Sequence, residues 1–324
     1  MTADAVEIAV IGTGAWGTAL AALLAGAGHR TVLVARSAQR AADLAANRRN
    51  ARLPDAALPG ALGVAATVPD AGLFLLCPPF QHLRATLARL PAGDAPIVLC
   101  CKGVETGSCL LAPEIAAECV PGRPCAVLTG PNFAHEIAAG LPAAAVLASH
   151  DSALVRQAIH LLSTPRFRLY GSADPLGAAL GGAAKNVIAI AAGVVTGAGL
   201  GENARAALIT RGLAEIARLS TALGGAPETA SGLAGLGDLI LTATGGASRN
   251  FRAGLALGRG GTPPSDPHGP VVEGVATAPA LLARARAAGC EMPVSEAVTD
   301  LLAGRIGLAA AMDRLLRRRL RERE

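Results

Sequence analysis

Aromatic and charged residues are scarce in this chain of 324 residues. Phenylalanine, tyrosine and tryptophan together make up 2% of the sequence and charged residues 16%, whereas 52% of the residues are hydrophobic. This balance excludes an intrinsically disordered chain, because it supplies ample material for a buried core. The length fits two domains better than one. With so few aromatic rings, alanine and glycine fill most of the core, which favours closely packed helices.

Cysteine pairs at metal-binding or redox spacing are also missing. None of the seven cysteines belongs to a Cys-x-x-Cys pair; they are Cys77, Cys100, Cys101, Cys109, Cys119, Cys125 and Cys290. The spacing excludes a typical zinc or dithiol site. Most of these residues lie in apolar runs, which is typical of small buried hydrophobic residues in a reducing compartment. No cluster of metal ligands has convincing spacing, so no metal is predicted.

Signals for export, membrane insertion and nucleic-acid binding are weak or absent. The first residues, "MTADAVEIAV", carry acids and no basic segment, so no signal peptide is predicted. Lys185 and Asn186 interrupt the apolar stretch from about 177 to 200, which argues against a membrane span. Acids interleave the basic tail "RLLRRRLRERE", which favours a solvated helix face. We therefore predict a cytoplasmic protein with no nucleic-acid partner and no integral membrane segment; its net charge of +5 suits a phosphorylated substrate.

The two halves of the chain carry different patterns. In the first half, short apolar runs alternate with helical segments, and we predict buried strands at 6–12, 31–36, 72–78, 96–103 and 125–131, with 143–149 and 167–172 extending the sheet. Continuous apolar strands joined by helices indicate parallel pairing. After about residue 175 the strand signal ends, and helical spacing predominates, as in 204–223 and 300–316. The segment 258–270, rich in glycine and proline, is predicted to be a surface loop.

A glycine-rich turn joins the first predicted strand to the first predicted helix in "IAVIGTGAWG". Gly12 permits the tight turn, Gly14 lets the backbone approach a pyrophosphate, and Gly17 lets the helix pack against the strand. The phosphates then lie at the helix N-terminus, where free N–H groups favour anions. The sequence thus predicts an α/β plus all-α protein. Its N-terminal Rossmann-type parallel-sheet domain covers residues 1–175 and its C-terminal helical domain residues 176–324.

The end of the second predicted strand bears on the choice of cofactor. Arg36 stands where an NAD-preferring fold usually carries Asp or Glu for the ribose hydroxyls. An arginine there, with Ser37 beside it and Arg40 one turn later, can hold a 2′-phosphate. NADP is therefore favoured, and NAD stays open.

Polar and glycine residues at two further strand ends form the next candidate site. Lys102 comes just after a buried apolar run, in the segment "CCKGVE", and is followed by Gly103. Gly130, Pro131 and Asn132 follow the next strand. In an open α/β sheet, ligands bind outside the carboxyl ends of the strands. We therefore expect these residues to face a ligand.

Three polar clusters stand out in the helical half: Lys185-Asn186, "GLGDL" with Asp238, and "SRN" at 248–250. A carboxylate in an apolar segment needs a partner, and Lys185 is the obvious candidate for Asp238. The hydroxyl, guanidinium and amide of "SRN" at a helix start suit a phosphate. The alternative for Ser248 is a plain helix N-cap.

These stretches resemble one known family. The matching segments are "GTGAWGTALA", "CCKGVE", "LTGPNFAHEIAAGLPAA", "AAKNVIAIAAGVVTGAGLGENARAALITRGLAEI", "GLAGLGDLILT", "SRN" and "VVEGV". In this order, over nearly the whole chain, they are similar to bacterial-type NAD(P)-dependent glycerol-3-phosphate dehydrogenases. The resemblance implies a helical domain of the 6-phosphogluconate-dehydrogenase-like kind. It also implies reversible reduction of dihydroxyacetone phosphate to sn-glycerol 3-phosphate by NADP or NAD, which supplies phospholipid synthesis.

The resemblance also implies roles for individual residues. Lys185 is the expected proton donor and acceptor, and the expected catalytic group also contains Asp238, Lys102 and Asn186. The residues expected to bind substrate are Lys102, Gly130, Asn132, Lys185, Asp238, Ser248, Arg249 and Asn250. Those expected to bind the cofactor are Gly12, Gly14, Ala15, Trp16, Gly17, Arg36, Lys102, Ala134, Arg249, Val271 and Glu273.

Two alternative functions remain open at this point. A ketopantoate reductase or another β-hydroxyacid-type dehydrogenase shares the architecture, although the "GLGDL" and "SRN" segments argue against it. A non-catalytic NADP-sensing module could keep the glycine turn without needing Lys185, Lys102 and Asp238 together. The oligomeric state is also open. An Ala/Gly-rich helical domain often buries a partner, which makes a homodimer the expectation.

Overall fold

The computed structural model describes residues 6–262 and 271–316. The predictions for the first five residues, for 263–270 of the glycine/proline loop and for the tail after 316 lie outside the described residues. The chain divides into two compact units. The first unit contains two segments, the chain up to Lys102 and Leu110–Ala179. The second contains Gly103–Cys109 and the chain from Leu180 onward. The domain boundary placed at residue 175 stays a prediction.

The first unit is built on an eight-stranded sheet and a separate two-stranded one. Their strands are β1 Val6–Ile11, β2 Thr31–Val34, β3 Arg49–Asn50, β4 Leu53–Ala57, β5 Gly63–Ala65, β6 Ala71–Leu76, β7 Ile97–Leu99, β8 Cys125–Thr129, β9 Ala143–Ala148 and β10 Phe167–Ser172. The order in the large sheet is β10-β9-β8-β7-β6-β1-β2-β5, and β3 pairs with β4. All seven predicted strands are present.

Strand direction follows the prediction at the centre of the sheet and departs from it on one side. The pairings β2 with β1, β1 with β6, β6 with β7 and β7 with β8 are parallel, as predicted. By contrast, β9 is antiparallel to β8. The connection between them carries a five-residue helix, which is shorter than the crossover helix of an ordinary parallel unit. The pattern missed β3, β4 and β5, since these strands are short and lack an apolar run.

Six α-helices accompany these strands. They are α1 Ala15–Gly26, α2 Ala38–Asn47, α3 Leu83–Leu87, α4 Ala112–Cys119, α5 Ala134–Ala138 and α6 Ser152–Leu162. Side chains define two of the starts. Ser37 accepts from the Arg40 N–H at the start of α2, and Asp151 caps α6. Strand residues such as Ile8 and Leu75 are fully buried, because helices cover both faces of a central parallel sheet.

From Pro175 onward, the regular elements of the described residues are helices. They are α7 Pro175–Gly197, α8 Gly201–Ala222, α9 Pro227–Ser231, α10 Asp238–Thr244, α11 Arg249–Gly258, α12 Glu273–Ala287, α13 Pro293–Leu302 and α14 Leu308–Leu316, with a π-helical turn at Leu233–Gly237. Among the described helices, α7 alone is long and apolar enough to cross a membrane. Its most apolar window is completely buried inside the protein, as in a core helix.

Helices α7 and α11 touch backbone to backbone. A Cβ on Gly193 would lie 2.2 Å from the Phe251 carbonyl oxygen, and one on Gly254 would lie 2.0 Å from the Ile190 carbonyl oxygen. Such distances leave no room for any side chain. The glycines therefore let α7 and α11 approach closely enough for their polar residues to meet.

One predicted helix proves to be two. The apolar spacing of 300–316 predicts a continuous helix, but α13 ends at Leu302 and α14 begins at Leu308. Gly304, with φ +67°, lies in the turn between them, where a left-handed residue ends a helix. Asp300 accepts hydrogen bonds from Arg305 and Arg314 and so connects the two helices. The predicted helix 204–223 is confirmed as α8.

Candidate active site

The glycine turn after β1 has no space for side chains at two of its three glycines. Gly12 has φ +120°, and a Cβ there would lie 2.6 Å from the Cys77 carbonyl oxygen. A Cβ on Gly17 would lie 2.2 Å from the Gly12 carbonyl oxygen. At Gly14, which caps α1, a Cβ would meet nothing within 4 Å. The turn is thus tight on the protein side and open at Gly14, as close approach of a pyrophosphate requires.

The first turn of α1 suits an anionic group. It contains Ala15 and Trp16 and no acidic residue. Trp16 is half-buried and packs edge-to-face against Phe167, with ring centroids 6.5 Å apart. Its indole Nε1 is buried without a hydrogen-bond partner in the part of the chain that the structure describes. An unsatisfied donor beside this helix N-terminus fits a bound dinucleotide.

The predicted 2′-phosphate residues follow β2. Arg36 is exposed, and Ser37 caps α2, whose first turn carries no acid. Arg40 is half-buried, and its Nη2 donates to Asn50 Oδ1. Neither arginine forms an ion pair within residues 6–262 and 271–316. Both positive charges are therefore available to an anion.

Polar groups at the carboxyl ends of β7 and β8 also meet. Lys102 Nζ donates to the Gly130 carbonyl oxygen at 3.1 Å. Gly130 has φ +145°, and a Cβ there would lie 2.9 Å from Ala145 Cα. Asn132 follows, and its Oδ1 is buried without a partner among the described residues. Ala134 is the first residue of α5. The structure thus brings Lys102, Gly130 and Asn132 to this edge of the sheet, as predicted.

The nearby thiols are neutral, as expected of buried hydrophobic residues. Burial raises the pKa of Cys100 well above its usual value, Cys77 raises it further, and the Lys102 charge lowers it less. Burial also raises the pKa of Cys125 to about 12. Neither thiol is suited to act as a nucleophile at neutral pH.

A buried ion pair forms the centre of the second unit's candidate site. Lys185, on α7, is 7% exposed and donates to Asp238, which is 1% exposed, on α10. The predicted pairing is present. Lys185 Nζ also donates to Thr242 Oγ1 at 2.8 Å, and that hydroxyl lies 3.3 Å from Asp238 Oδ1. Thr242 is not among the predicted site residues, although its place four residues after Asp238 on α10 puts it on the same helix face.

Small residues set this geometry. A Cβ on Gly181 of α7 would lie 2.7 Å from the Ala234 carbonyl oxygen in the π-helical turn. The turn leads directly into Asp238, so close contact at Gly181 brings the carboxylate to α7 one helical turn from Lys185. The chain thereby holds an ammonium group and a carboxylate together in an apolar wall.

Asn186 is engaged away from the Lys185 ammonium. Its Oδ1 accepts from Asn250 Nδ2 at 2.8 Å, and its Nδ2 lies 3.5 Å from the Gly182 carbonyl oxygen. Asn250 Oδ1 accepts in turn from the Gly274 N–H at 3.0 Å. This amide chain links α7, α11 and the start of α12. It gives Asn186 and Asn250 a structural task that the sequence analysis did not include.

The remaining predicted residues lie at two helix starts. Ser248 Oγ accepts from the Phe251 N–H at 3.1 Å. Its oxygen is therefore the N-cap of α11, as the alternative interpretation predicted. The hydroxyl hydrogen can still be donated. Arg249 is exposed at the start of α11. Val271 is exposed and Glu273 half-buried at the start of α12, next to Gly274.

Comparison with known proteins assigns these features to one family. Residues 7–155 match the N-terminus and residues 174–313 the C-terminus of NAD-dependent glycerol-3-phosphate dehydrogenase. The chain is 70% identical over 316 residues to a glycerol-3-phosphate dehydrogenase, NAD(P)+, of Acidiphilium cryptum, covering 98% of each chain. The crystal structure of a glycerol-3-phosphate dehydrogenase from Coxiella burnetii aligns with a TM-score of 0.90 at 37% identity, over 97% of this chain and 100% of that one.

A structural likeness also exists to the first alternative. A 2-dehydropantoate 2-reductase from Methylococcus capsulatus aligns with a TM-score of 0.56 at 19% identity, over 92% of this chain and 96% of that one. Such low identity shows a shared fold alone. The full-length matches support the dehydrogenase and an NAD or NADP cofactor, and they support neither the reductase nor a non-catalytic module. The chain belongs to the NAD-dependent glycerol-3-phosphate dehydrogenase family.

Proposed function

We propose that this protein reduces dihydroxyacetone phosphate to sn-glycerol 3-phosphate with NAD(P)H, reversibly, and so supplies glycerol phosphate for phospholipid synthesis. The observation that carries the proposal is the buried Lys185 ammonium, held by Asp238 and Thr242 in a chain of this family. A buried charge is retained only where it is paired, and such groups cluster at functional sites.

Lys185 acts as the proton donor. A bound nicotinamide would supply the hydride, and negative charge would then develop on the carbonyl oxygen of the ketone. Lys185 Nζ donates a proton to that oxygen and stabilises its developing charge. Asp238 and Thr242 hold the ammonium in place. In the reverse direction Lys185 accepts the proton of the substrate hydroxyl.

The substrate phosphate is assigned to the start of α11. The Ser248 hydroxyl hydrogen, the Arg249 guanidinium and the backbone N–H groups of the first turn are the donors a phosphate needs. Asn250 is also assigned to the substrate, and its hydrogen bond to Asn186 positions its side chain. By the family resemblance, the proposal also keeps Lys102, Gly130 and Asn132 as substrate-binding residues.

The dinucleotide is assigned to the glycine turn. Gly12, Gly14, Ala15, Trp16 and Gly17 would bind its pyrophosphate, and Arg36 favours NADP over NAD. Contacts with the cofactor from Lys102, Ala134, Arg249, Val271 and Glu273 are proposed on the family resemblance.

We also propose that the protein acts in the cytoplasm as a homodimer. The support is the seven free cysteines, which are typical of a reducing compartment, and the small residues that predominate in the helical unit. Sedimentation equilibrium of the full chain tests the dimer, and a single species at the mass of one chain would contradict it.

The proposed reaction is tested by following NADPH absorbance with dihydroxyacetone phosphate, for the wild type and for Lys185→Ala. We expect turnover to fall about 10³-fold in the variant, because its general acid is lost. Trp16 is the one tryptophan of the chain, so its fluorescence reports NADPH binding directly. That binding should be nearly unchanged.

NADH and ketopantoate serve as comparisons in the same assay. Oxidation of NADPH with ketopantoate alone would contradict the proposed substrate. A Lys185→Ala variant with wild-type turnover would contradict the role of the lysine.

A further inference from the structure

Asn50 is a buried amide that neither the proposed mechanism nor the sequence analysis uses. It is 1% exposed and lies in β3, 32 residues from its partner Thr18 in α1. Asn50 Nδ2 donates to Thr18 Oγ1 at 2.7 Å and to the Thr13 carbonyl oxygen at 3.1 Å. Asn50 Oδ1 accepts from Arg40 Nη2 and from the Arg52 N–H at 3.0 Å. The side chain therefore spans the glycine turn and the arginine of α2.

These four contacts use the whole hydrogen-bonding capacity of an amide. An asparagine has two N–H donors and an oxygen with two lone pairs, and each has a partner here. The partners also define the orientation of the amide, because a carbonyl oxygen can only accept and a guanidinium can only donate. Aspartate could not donate to Thr13, and an apolar residue would leave both Thr13 and Arg40 without this partner.

The contact with Thr13 orients the backbone of the glycine turn. The Thr13 carbonyl and the Gly14 N–H belong to one planar trans peptide, so they point in opposite directions. When Asn50 holds the carbonyl, the Gly14 N–H points away from Asn50. The space beside Gly14 is open, since a Cβ there would meet nothing within 4 Å. By holding the Thr13 carbonyl, Asn50 thus keeps the Gly14 N–H directed at the place assigned to the pyrophosphate.

The contact with Arg40 positions a charge without neutralising it. Arg40 is half-buried, and its partner is a neutral amide. A carboxylate at this place would cancel the charge that a 2′-phosphate needs. Ser37 is the N-cap of α2, and the first turn of this helix carries no acidic residue. The amide therefore fixes the Arg40 guanidinium and keeps its full charge available.

We propose that Asn50 is a positioning residue for the dinucleotide: it holds the Thr13–Gly14 peptide and the Arg40 guanidinium together and so strengthens pyrophosphate binding and the preference for a 2′-phosphate. This inference rests on the proposed cofactor site at the glycine turn. It adds a residue to that site which does not itself touch the ligand.

The test measures binding of ADP-ribose and of 2′-phospho-ADP-ribose by calorimetry. Both probes carry the pyrophosphate, they differ only in the 2′-phosphate, and neither can transfer a hydride. In Asn50→Ala we expect ADP-ribose to bind about 10-fold more weakly, because the turn loses its anchor. The loss for the 2′-phosphate form should be about 10-fold greater still, since Arg40 is also released.

Asn50→Asp keeps the size of the side chain and both acceptor contacts, and it carries the test if the alanine variant does not fold. Its carboxylate pairs with Arg40, so the preference for 2′-phospho-ADP-ribose should shrink about 10-fold or more. Asn47→Asp is the matched control: it makes the same change on an exposed asparagine of α2 and should leave both affinities unchanged. In the enzyme assay, the KM for NADPH should rise in the Asn50 variants, with kcat at saturating cofactor within about twofold of wild type.

Two outcomes overturn the inference: unchanged affinities in a folded Asn50 variant, or equal losses for both probes. If such a variant still oxidises NADPH with dihydroxyacetone phosphate as the wild type does, the proposed function stands without the role of Asn50. If the wild type binds neither probe, the proposed cofactor site fails together with the inference.

Discussion

The Lys185 ammonium is held by two oxygens of different kinds. The Asp238 carboxylate compensates its charge, and the Thr242 hydroxyl accepts a second hydrogen bond at 2.8 Å. Thr242 also lies 3.3 Å from Asp238 Oδ1, so it braces both partners of the pair. Since proton transfer depends on the position of the donor, the threonine should matter for turnover more than for stability.

The first prediction concerns this hydroxyl. Thr242→Val removes it while keeping the shape of the side chain, and we expect kcat to fall about 10-fold. Trp16 fluorescence should show unchanged NADPH binding. Thr242→Ser keeps the hydroxyl and should restore most of the rate. Equal kcat for the valine variant and the wild type would show that Asp238 alone positions the lysine.

Among the secondary-structure elements, α7 and α11 pack backbone to backbone because glycines lie where they meet. Gly193 and Gly254 bring the two backbones into contact, and this approach lets Asn186 reach Asn250. The candidate phosphate site at the start of α11 therefore depends on packing several residues away from it.

The second prediction tests that packing. In Gly254→Ala the new Cβ would lie 2.0 Å from the Ile190 carbonyl oxygen, so the helices must separate. We expect a loss of about 3 kcal/mol in the free energy of unfolding, measured with urea. Gly26→Ala is the matched control. It lies in α1 with nothing within 4 Å of the new Cβ, and it should be neutral or stabilising by up to about 1 kcal/mol. Similar stabilities for the two variants would contradict the close contact.

The buried carboxylate of Glu215 caps the start of α13. Met292 provides no side-chain cap, and Glu215 on α8 accepts instead from the Val294 N–H at 2.6 Å and from the N–H and hydroxyl of Ser295 at 3.2 Å. Burial raises the pKa of Glu215, and the hydrogen bonds and Arg218 offset this only in part. Glu215 therefore connects α8 and α13, and its contribution to the free energy of unfolding depends on pH.

The third prediction follows from the sign of that shift. A carboxyl whose pKa is raised by folding binds its proton more tightly in the native state, so its contribution to stability is complete below the unfolded value of about 4.3. That contribution declines as pH rises through the folded pKa. We would measure the free energy of unfolding of the wild type and of Glu215→Gln with urea across this pH range. The value for the wild type, relative to that for the variant, should fall as pH rises. Parallel curves for wild type and Glu215→Gln would contradict the raised pKa.

At the scale of the whole molecule, lysine is almost absent. Lys102 and Lys185 are the only lysines of the chain, whereas arginine supplies its other basic side chains apart from histidine. Both lysines fall in the predicted catalytic group. Because lysine is so scarce, amine chemistry is selective on this protein.

The fourth prediction uses that scarcity. Acetic anhydride should modify Lys102, which is half-buried, faster than Lys185, which is 7% exposed and bonded to Asp238. Peptide mass spectrometry of the briefly treated native protein reads out each site. In urea, where burial is lost, the two lysines should react alike. Equal rates in the native protein would show that Lys185 is open to reagents.

Much of the fold could be predicted because its signals are local. Strand runs, the glycine turn and the start of α11 each depend on neighbours in the chain, through turn chemistry, apolar spacing and helix capping. The break between α13 and α14 was missed because apolar spacing continues across it, whereas the left-handed turn at Gly304 ends the helix. The strands β3, β4 and β5 were missed because they carry too few apolar residues to form a pattern.

The fold class, the glycine turn and the residue types that the chemistry needs can all be predicted from the sequence. Which polar atoms meet depends instead on contacts between distant segments of the folded chain. Thr242 is 57 residues from Lys185, Asn250 is 64 from Asn186, and Asn50 is 37 from Thr13. The segment 103–109 likewise belongs to the second unit, with no signal in its own residues. Such contacts depend on how closely helices and strands pack, and packing is a property of surfaces assembled from distant parts of the chain.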